Sequence, residues 1–543
     1  MVFARRSTTL LAAIIASCAM VLSLTACTSD NKTVVDGQTT VTSNSAGGVA
    51  VFTPSDGITL NQQMPLNKWA KLVPDLTKAL VDAGFKKGDI NHTTSDSLDK
   101  QSRAIQDFVV DHLSNNTTDD SGIAIAPDNM TLLVAPVVEA DASTRQYGDY
   151  VSQNLSTNDA TDGEATSDGE SSEDDSSKDD SSNTESDSTA SDEQAQAVDR
   201  LVSSLKLAKE SGMHVVLLGN SIEGYKPDAF VKFSDAQTIG KLQAEKMVSK
   251  LKLDKASKDN PKYIEVLLPY TAMDEKGNAN DSTFAQEAFR GIWQVLGSYY
   301  QKGVVESPSG TLDGKSTEND WQAVAYDAAK EGSTAKVLDK RLAKTDGQST
   351  LTRIDGIITM NDYIASEVVK ELDDLGYTGS AADINPQITI SGIVGNITGK
   401  KDLSRDAVPD PIKSPENDNA NDSSSSDDDA DKDTSASDKD RDSQWPLVTG
   451  YGAYVSNIPS IVNGKQWMTG MEDRQTIATD IAQACAKLNK DEALNSMPSI
   501  RNSEVGGVKK IPTINEPLLA VSAGNLKSAL IDPGYISLAD AGL

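Results

Sequence analysis

Histidine and cysteine are scarce in this chain of 543 residues. It contains three of each, and no HExxH pattern, cysteine cluster or GxSxG pattern occurs. Zinc sites and hydrolase triads are built from such residues, so neither is predicted. The acidic residues do not follow EF-hand spacing either. We therefore expect no enzyme activity, no metal site and no cofactor.

The N-terminus carries a short apolar run. Arg5 and Arg6 precede an apolar run over residues 10–24, which is shorter than the segment needed to span a membrane. The run ends in LTAC, which resembles a bacterial lipobox. This resemblance implies a signal peptide over residues 1–26, a diacylglycerol on Cys27 and a place at the extracytoplasmic face of the cell membrane. A plain membrane helix is the alternative.

No internal disulfide is expected in the processed protein. Cys18 is lost with the signal peptide, and Cys27 carries the lipid. The remaining residue, Cys485, lies in the helical pattern IATDIAQACAKL. This pattern indicates a buried, inert thiol.

Basic residues are outnumbered, with 50 Lys and Arg against 81 Asp and Glu. Without a basic footprint, nucleic acid is not an expected partner. Two Ser/Asp-rich tracts hold most of the excess: residues 159–194 carry fourteen acidic side chains and one lysine, and residues 416–442 carry eleven acidic and three basic ones. They have little apolar surface to bury, so we predict disordered insertions there. Residues 27–47 are predicted to form a flexible linker.

Strand and helix patterns alternate from residue 48 onward. Amphipathic helical segments separate apolar runs such as GGVAVFTP, MTLLVAPVV, MHVVLLGNS, KYIEVLLPY and IDGIITM. This alternation predicts parallel sheets flanked by helices, and about ten strands favour two lobes. Ligands bind such sheets at the carboxyl ends of the strands. The polar or aromatic residues at those ends are Asn220, Asp235, Tyr270, Asn361 and Asp362.

Five segments, in order, resemble the type I periplasmic binding proteins, nearest the xylose- and ribose-binding branch. They are GMHVVLLGNS, VKFSDAQTIGKLQAEKMV, IDGIITMNDYIASEVVKEL, VTGYGAYVSNIPSIVNGKQWMTG and IPTINEPLLAVSAGN. The resemblance covers most of residues 48–540 outside the acidic tracts. It implies an α/β fold of two doubly wound parallel-sheet lobes, joined by a three-segment hinge. It also implies a monomer that closes on one small polar solute and presents it to an ABC permease.

The resemblance also implies the domain boundaries. The N-terminal lobe comprises residues 48–258 and 472–508, and the C-terminal lobe comprises residues 261–469 and 509–543. Two segments, ITISGIVGN and LVTGYGAYV, compete for the last strand of the second lobe. We prefer LVTGYGAYV, because it matches the family without gaps.

Four binding positions of the family are retained: Asp235, Asn361, Asp362 and a basic residue before tryptophan, Lys68. Asp362 allows two interpretations. It either caps the following helix, as a short side-chain oxygen does, or accepts hydrogen bonds from a ligand.

Other family positions are changed. Asn220 stands where the family has an arginine. Tyr451 stands where the family has an amide side chain, and the carboxylate that follows this amide in the family is missing from this sequence. Glu472 stands near a lysine of the xylose branch. Tyr451 and Tyr270 are candidates for stacking on a sugar ring.

The remaining aromatic candidates are tryptophans. Trp293 and Trp321 lie in helical patterns and are predicted core residues, while Trp69 begins a helix near the cleft. With fewer charges and an added tyrosine, the expected solute is a sugar or sugar-like molecule, less hydroxylated or held more by stacking. The alternative function is a surface-tethered sensor or adhesin with the same fold and no transport.

Overall fold

The computed structural model divides into two compact units, Met1–Asn44 and Ser45–Leu543. In the first unit, β1 (Val34–Val35) pairs antiparallel with β2 (Gln38–Thr39). None of the helices in the described part of the chain combines the length and hydropathy needed to span a bilayer. The structure describes residues 34–35, 38–39, 46–55, 65–115, 125–138, 144–151, 153–157, 185–273, 280–328, 330–343, 351–382 and 444–543.

A seven-stranded sheet forms the centre of the first lobe. All neighbouring strands are parallel except for the last pair. The first five follow the order 2-1-3-4-5, which is typical of doubly wound sheets. In spatial order the strands are β4 (Ile90–Ser95), β3 (Gly48–Pro54), β5 (Met130–Val134), β7 (His214–Leu218), β9 (Ala229–Lys232), β18 (Val508–Asn515) and β17 (Ile500–Val505).

Helices cover both faces of this sheet. Helices α1 (Trp69–Asp82) and α10 (Arg474–Leu488) pack on one face, and α2 (Leu98–Asn115) and α3 (Glu185–Glu210) pack on the other. All five residues of β5 are buried, as expected for a strand covered on both sides. A short parallel pair, β6 (Asn154–Leu155) and β8 (Ser221–Ile222), lies outside the sheet.

The second lobe contains a four-stranded parallel sheet in the order 2-1-3-4. Its strands are β12 (Val305–Glu306), β10 (Lys262–Val266), β14 (Gly356–Ile358) and β15 (Leu447–Val448). A parallel pair, β11 (Leu268–Pro269) and β13 (Ala325–Tyr326), follows the carboxyl end of β10. The predicted α/β class with two doubly wound lobes is thus confirmed.

Helices also cover both faces of the second sheet. Alternate strand residues pack with two different clusters, because Ile358 belongs to one and Ile357 to the other. The helices of the first cluster are α4 (Ala236–Leu251), α5 (Thr283–Gln301) and the short α6 (Trp321–Val324), and those of the second are α7 (Ser333–Arg341) and α8 (Asp362–Leu375).

The chain leaves the first sheet after β9 and again after β18, and it leaves the second sheet after β15, so three segments link the two lobes. The short helix α9 (Ile458–Val462) lies in the segment after β15, followed by β16 (Met468–Met471). In the segment after β18 only residues 516–518 separate β18 from β19 (Leu519–Ser522), which pairs antiparallel with β16. The resemblance placed residues 509–515 in the second lobe, whereas β18 pairs with β9 in the first sheet.

One predicted insertion is shorter than expected. Helix α3 begins at Glu185, so the last ten residues of the tract 159–194 are helical and not loop. Residues 159–184 and the tract 416–442 lie outside the described residues, as do Cys27 and the segment ITISGIVGN.

Several predictions about single segments are confirmed. LVTGYGAYV contains β15, which pairs with β14 in the second sheet. Trp293 and Trp321 are buried core residues, and Trp69 is buried at the start of α1. Cys485 is fully buried in α10, where burial raises the pKa of its thiol.

Candidate functional site

The seven candidate binding residues follow strands of both sheets or precede a helix beside them. Three of them contact the same short segment of the first lobe, residues 146–149, which we call the cleft segment. The others contact different parts of the chain. The positions of all seven are as follows: Lys68 before α1, Asn220 after β7, Asp235 after β9, Tyr270 after β11, Asn361 and Asp362 after β14, and Tyr451 after β15.

The cleft segment reaches the second lobe through its first two residues. Oε1 of Gln146 accepts a hydrogen bond from Nδ2 of Asn361 at 3.1 Å, and its carbonyl oxygen accepts one from the hydroxyl of Tyr454 at 2.7 Å. The ring of Tyr147 is buried, with its centre 4.8 Å from that of Phe284 and 6.3 Å from that of Tyr451. The segment therefore joins the two lobes.

Asp149 holds the other end of the segment in the first lobe. Its carboxylate accepts hydrogen bonds from Nζ of Lys68 at 2.8 Å and from the backbone N–H of Trp69 at 3.0 Å. The N–H of Asp149 donates to the carbonyl of Asn67 at 2.8 Å. Because Trp69 begins α1, its N–H has no partner within the helix, and Asp149 provides one.

Tyr150 anchors the chain directly after the segment. It is buried, its hydroxyl donates to the carbonyl of Lys68, and its ring packs against Trp69 and Phe233. Such a cluster of aromatic rings fixes the end of the segment in the first lobe.

Asn220 is buried beside this anchor. Its Oδ1 accepts from the N–H of Gln153 at 3.0 Å, and its Nδ2 donates to the carbonyl of Pro136 at 2.9 Å. Both polar ends of the Asn220 side chain therefore contact backbone of the first lobe.

A buried carboxylate, Glu472, lies at the junction of the lobes. It follows β16, is 1% exposed, and accepts a hydrogen bond from the N–H of Ser234. The hydroxyl of Tyr451 bonds to the hydroxyl of Ser234 and lies 3.5 Å from Oε1 of Glu472. Burial raises the pKa of Glu472 to about 7, against the effect of these donors, and Asp235 adds to the rise.

Asp362 is held inside the second lobe and does not cap α8. The cap is Asn361, whose Oδ1 accepts from the N–H of Ile364 at 2.9 Å. The Asp362 carboxylate is fully buried and accepts three hydrogen bonds. The donors are Gln466 Nε2 at 2.7 Å, the Tyr454 N–H at 2.9 Å and Thr469 Oγ1 at 2.9 Å.

Burial raises the pKa of Asp362 to about 6, although the three donors act in the opposite direction. A ligand that bound Asp362 would compete with these donors. The ligand-binding role of Asp362 stays a prediction, while the capping interpretation is wrong, because the backbone places the cap one residue earlier.

Asp235 and Tyr270 contact other parts of the chain. Asp235 caps α4 by accepting from Thr238 N and Oγ1, and it pairs with Lys232 at 2.9 Å. Burial alone would raise the pKa of Asp235, but these hydrogen bonds outweigh it and lower the pKa. The Tyr270 hydroxyl donates to the carbonyl of Asn280, and its ring packs edge-on against Trp321.

Solved structures of sugar-binding proteins resemble this chain. An ABC transporter solute-binding protein from Clostridium phytofermentans with bound β-D-glucose is 17% identical, with a TM-score of 0.45 over 91% of this chain and 99% of the other. A carbohydrate transporter solute-binding protein from Chloroflexus aurantiacus, in complex with D-glucose, is 17% identical, with a TM-score of 0.44 over 92% and 98%.

A periplasmic ribose ABC transporter protein from Conexibacter woesei is 12% identical, with a TM-score of 0.42 over 90% of this chain and 96% of the other. No family model and no curated protein matches this chain. Its own strand orders and the three segments that link its lobes decide its architecture. They give two doubly wound lobes, the architecture that the resemblance to the type I periplasmic binding proteins predicted. The glucose and ribose named here belong to the other proteins.

In this two-lobed fold, sequence reasoning missed Gln146 and Asp149. Both lie in the connection between β5 and β6, twelve or more residues beyond the end of β5, so the strand-end pattern does not mark them. Glu472 was noted as a changed position, but was not predicted to be a buried carboxylate. Within the described residues, no group of three or more His, Cys, Asp or Glu side chains is placed to hold a metal ion.

A groove of about 770 Å³ lies elsewhere in the first lobe. His214 at the start of β7 and Asp228 just before β9 are among its lining residues, so it borders the amino ends of these strands. Ligands of doubly wound sheets bind at the opposite, carboxyl edge. The candidate site is therefore the junction between the lobes and not this groove.

Proposed function

We propose that this protein captures a small polar solute, a sugar or sugar-like molecule, between its two lobes and delivers it to an ABC importer. The observation that carries this proposal is the junction itself. Amide, carboxylate and phenol groups from both lobes meet there, next to buried aromatic rings. Such groups suit a hydroxylated ring, because each buried hydroxyl needs a hydrogen-bond partner and each ring face needs an apolar surface.

The charges at the junction favour a solute without a strong net charge. Lys68 and Asp149 neutralise each other, and the raised pKa of Glu472 makes its proton easy to retain near neutral pH. An ionic solute would leave a partly buried charge without its own counter-ion, which is costly.

The anchor and the location belong to the same proposal. Cys27 in LTAC would carry the lipid and hold the protein at the extracytoplasmic face of the membrane as a monomer, where it meets the permease. Mass spectrometry of the mature N-terminus should find a diacylglycerol adduct, and Cys27→Ser should abolish processing there. A mature protein with unmodified Cys27 would contradict the anchor.

A second candidate is a surface-tethered sensor or adhesin. One observation favours it: the polar groups of the junction already bond to one another across the lobes. A junction that closes on itself could present a fixed outer surface to a partner without taking up a solute.

A thermal-shift panel of pentoses, hexoses, oligosaccharides, nucleosides and polyols tests the two candidates. A solute at a hundred times its dissociation constant should add about 2.7 kcal/mol of stability. For lobes of this size the melting temperature should rise by roughly 5–10 °C. If no member raises it, and native mass spectrometry finds no solute on protein from its host, the sensor or adhesin is favoured over the transporter component.

A further inference from the structure

We propose that the cleft segment, residues 146–149, competes with the solute for the junction, so that a solute binds by displacing it. This inference rests on the proposed function. It deepens that function, because it identifies part of the chain as an internal competitor of the solute.

The first argument is that the segment uses the predicted binding groups. Three of the seven candidates contact it: Asn361 donates to Gln146, Lys68 donates to Asp149, and the Tyr451 ring lies near Tyr147. A solute that uses these groups cannot bind them while the segment does.

The second argument is chemical. The segment offers the junction two acceptor groups and one flat ring, held at both lobes. The Gln146 amide and the Asp149 carboxylate accept hydrogen bonds, and Tyr147 contributes the ring. A hydroxylated ring offers acceptor oxygens and a flat face in the same way. We therefore expect a neutral sugar to take the place of both acceptor groups and of the ring.

The third argument is that the aromatic anchor of the first lobe lies outside the segment, so displacing the segment leaves that anchor in place. Tyr150 fixes the chain behind it in the aromatic cluster with Trp69 and Phe233. Gly148, in contrast, has a left-handed φ of +95°. Glycine adopts this conformation without strain, whereas other residues are strained in it. The segment therefore lies between a fixed anchor and the second lobe.

The substitution Gly148→Ala tests the proposal. A Cβ atom there would lie 2.6 Å from the carbonyl oxygen and 2.7 Å from Cβ of Asn67, so the segment must leave its place. The matched control is Gly212→Ala. Gly212 has a φ of +97°, yet the nearest atom to its Cβ would be 3.6 Å away. The control therefore carries the same backbone strain without the clash.

Hydrogen exchange of the full-length protein gives the first readout. The amides of Asp149 and Trp69 report on the segment, because they bond to Asn67 O and to Asp149 Oδ2. Both should exchange faster in Gly148→Ala than in wild type or Gly212→Ala. The Ile364 amide, which is bonded to the cap Asn361, should not change.

Titration with D-glucose, D-xylose, D-ribose and the rest of the panel gives the second readout. A sugar that binds wild type should bind Gly148→Ala more tightly, on the order of tenfold or more, because displaced conformations are commonly populated at about 10% or less. The control should bind like wild type. Saturating sugar should also speed exchange of the Asp149 and Trp69 amides in wild type.

Two results would overturn the proposal, and they differ. If a sugar binds wild type, slows exchange of these amides and binds Gly148→Ala more weakly, the segment is a wall of the site, and the proposed function stands. If no panel member binds either variant or wild type, the function fails and the competition fails with it. Should Gly148→Ala not fold, Gln146→Ala removes the bond to Asn361 without a clash and is read by the same criteria.

Discussion

Two polar clusters near the lobe junction differ in what holds them. The Asp362 cluster lies inside one part of the chain, since its donors Tyr454, Gln466 and Thr469 all follow β15. The cleft segment instead contacts both lobes: Gln146 and Tyr147 contact the second lobe, and Asp149 contacts the first. A cluster within one lobe is kept whenever that lobe is folded, whereas contacts between lobes depend on closure. The Asp362 cluster should therefore contribute more to stability, and the contacts of Gln146 and Tyr147 with the second lobe should contribute more to binding.

The largest effect is expected from breaking the Asp362 cluster. Asp362→Ala leaves three buried donors without an acceptor, so the free energy of unfolding should fall by about 3–5 kcal/mol in denaturant titration. The control is Asp313→Ala, because Asp313 accepts from Lys315 and Ser316 on the protein surface. Losses of equal size in the two variants would contradict the comparison.

The next effect concerns the carboxylate at the junction. The pKa of Glu472 is about 7, above its ordinary value of 4.5, so the folded protein binds this proton more tightly than the unfolded chain. Stability therefore falls as pH rises from about 4.5 to about 7, by roughly 3 kcal/mol in total. Glu472→Gln keeps an acceptor for Ser234 but cannot ionise.

Urea unfolding at several pH values measures this difference. The stability of wild type relative to Glu472→Gln should decline through that window and level off above it. Asp362, with its pKa of about 6, contributes a similar slope in both proteins and cancels. Parallel curves for the two proteins would show that Glu472 does not titrate there.

A smaller effect is expected at the ion pair of the cleft segment. The side chains of Lys68 and Asp149 are 15% and 18% exposed. Lys68→Met should lower stability by about 1–2 kcal/mol, since a charged hydrogen bond is lost in a partly buried place. Lys78→Met is the matched control, because Lys78 pairs with Asp82 at 2.8 Å but both are well exposed. Thermal unfolding that fails to separate the two variants would remove the ion pair from the comparison.

The smallest effect is expected outside both clusters. Replacing residues 159–184 and 416–440 by short Gly/Ser linkers should leave the melting temperature nearly unchanged, because the entropy of closing a loop depends weakly on its length. A large fall would mean that the acidic tracts pack on the lobes. Extending the first replacement into α3 should, in contrast, destabilise the first lobe.

The strands that sequence reasoning predicted are those with buried apolar runs, such as β3, β5, β7 and β14. It missed β4, the sequence INHTTS, because four of its six residues are exposed and it lies at the edge of the sheet. An edge strand with polar side chains carries no apolar pattern, and only its backbone pairing with β3 reveals it.

The sequence predicted the positions of the site residues better than the role of each side chain. Strand ends correctly indicated where Asn361 and Asp362 would lie, but not which of the two caps α8. Asn361 is the cap because its backbone is extended, with φ −144° and ψ 166°, and its Oδ1 accepts from the N–H of Ile364. The contact of Gln146 with Asn361 spans 215 residues of sequence, and no local pattern encodes such a distance.

The linking segment after β18 limits how far the lobes can separate. From Asn515 to Leu519 the chain can extend no more than about 14 Å, so the two lobes remain tethered when the junction opens. The cleft segment therefore faces the second lobe at a high effective concentration, on the scale of millimolar for short tethers. The apparent dissociation constant of a solute would then include the competition with the cleft segment. Lengthening residues 516–518 would change this constant without altering any group of the site.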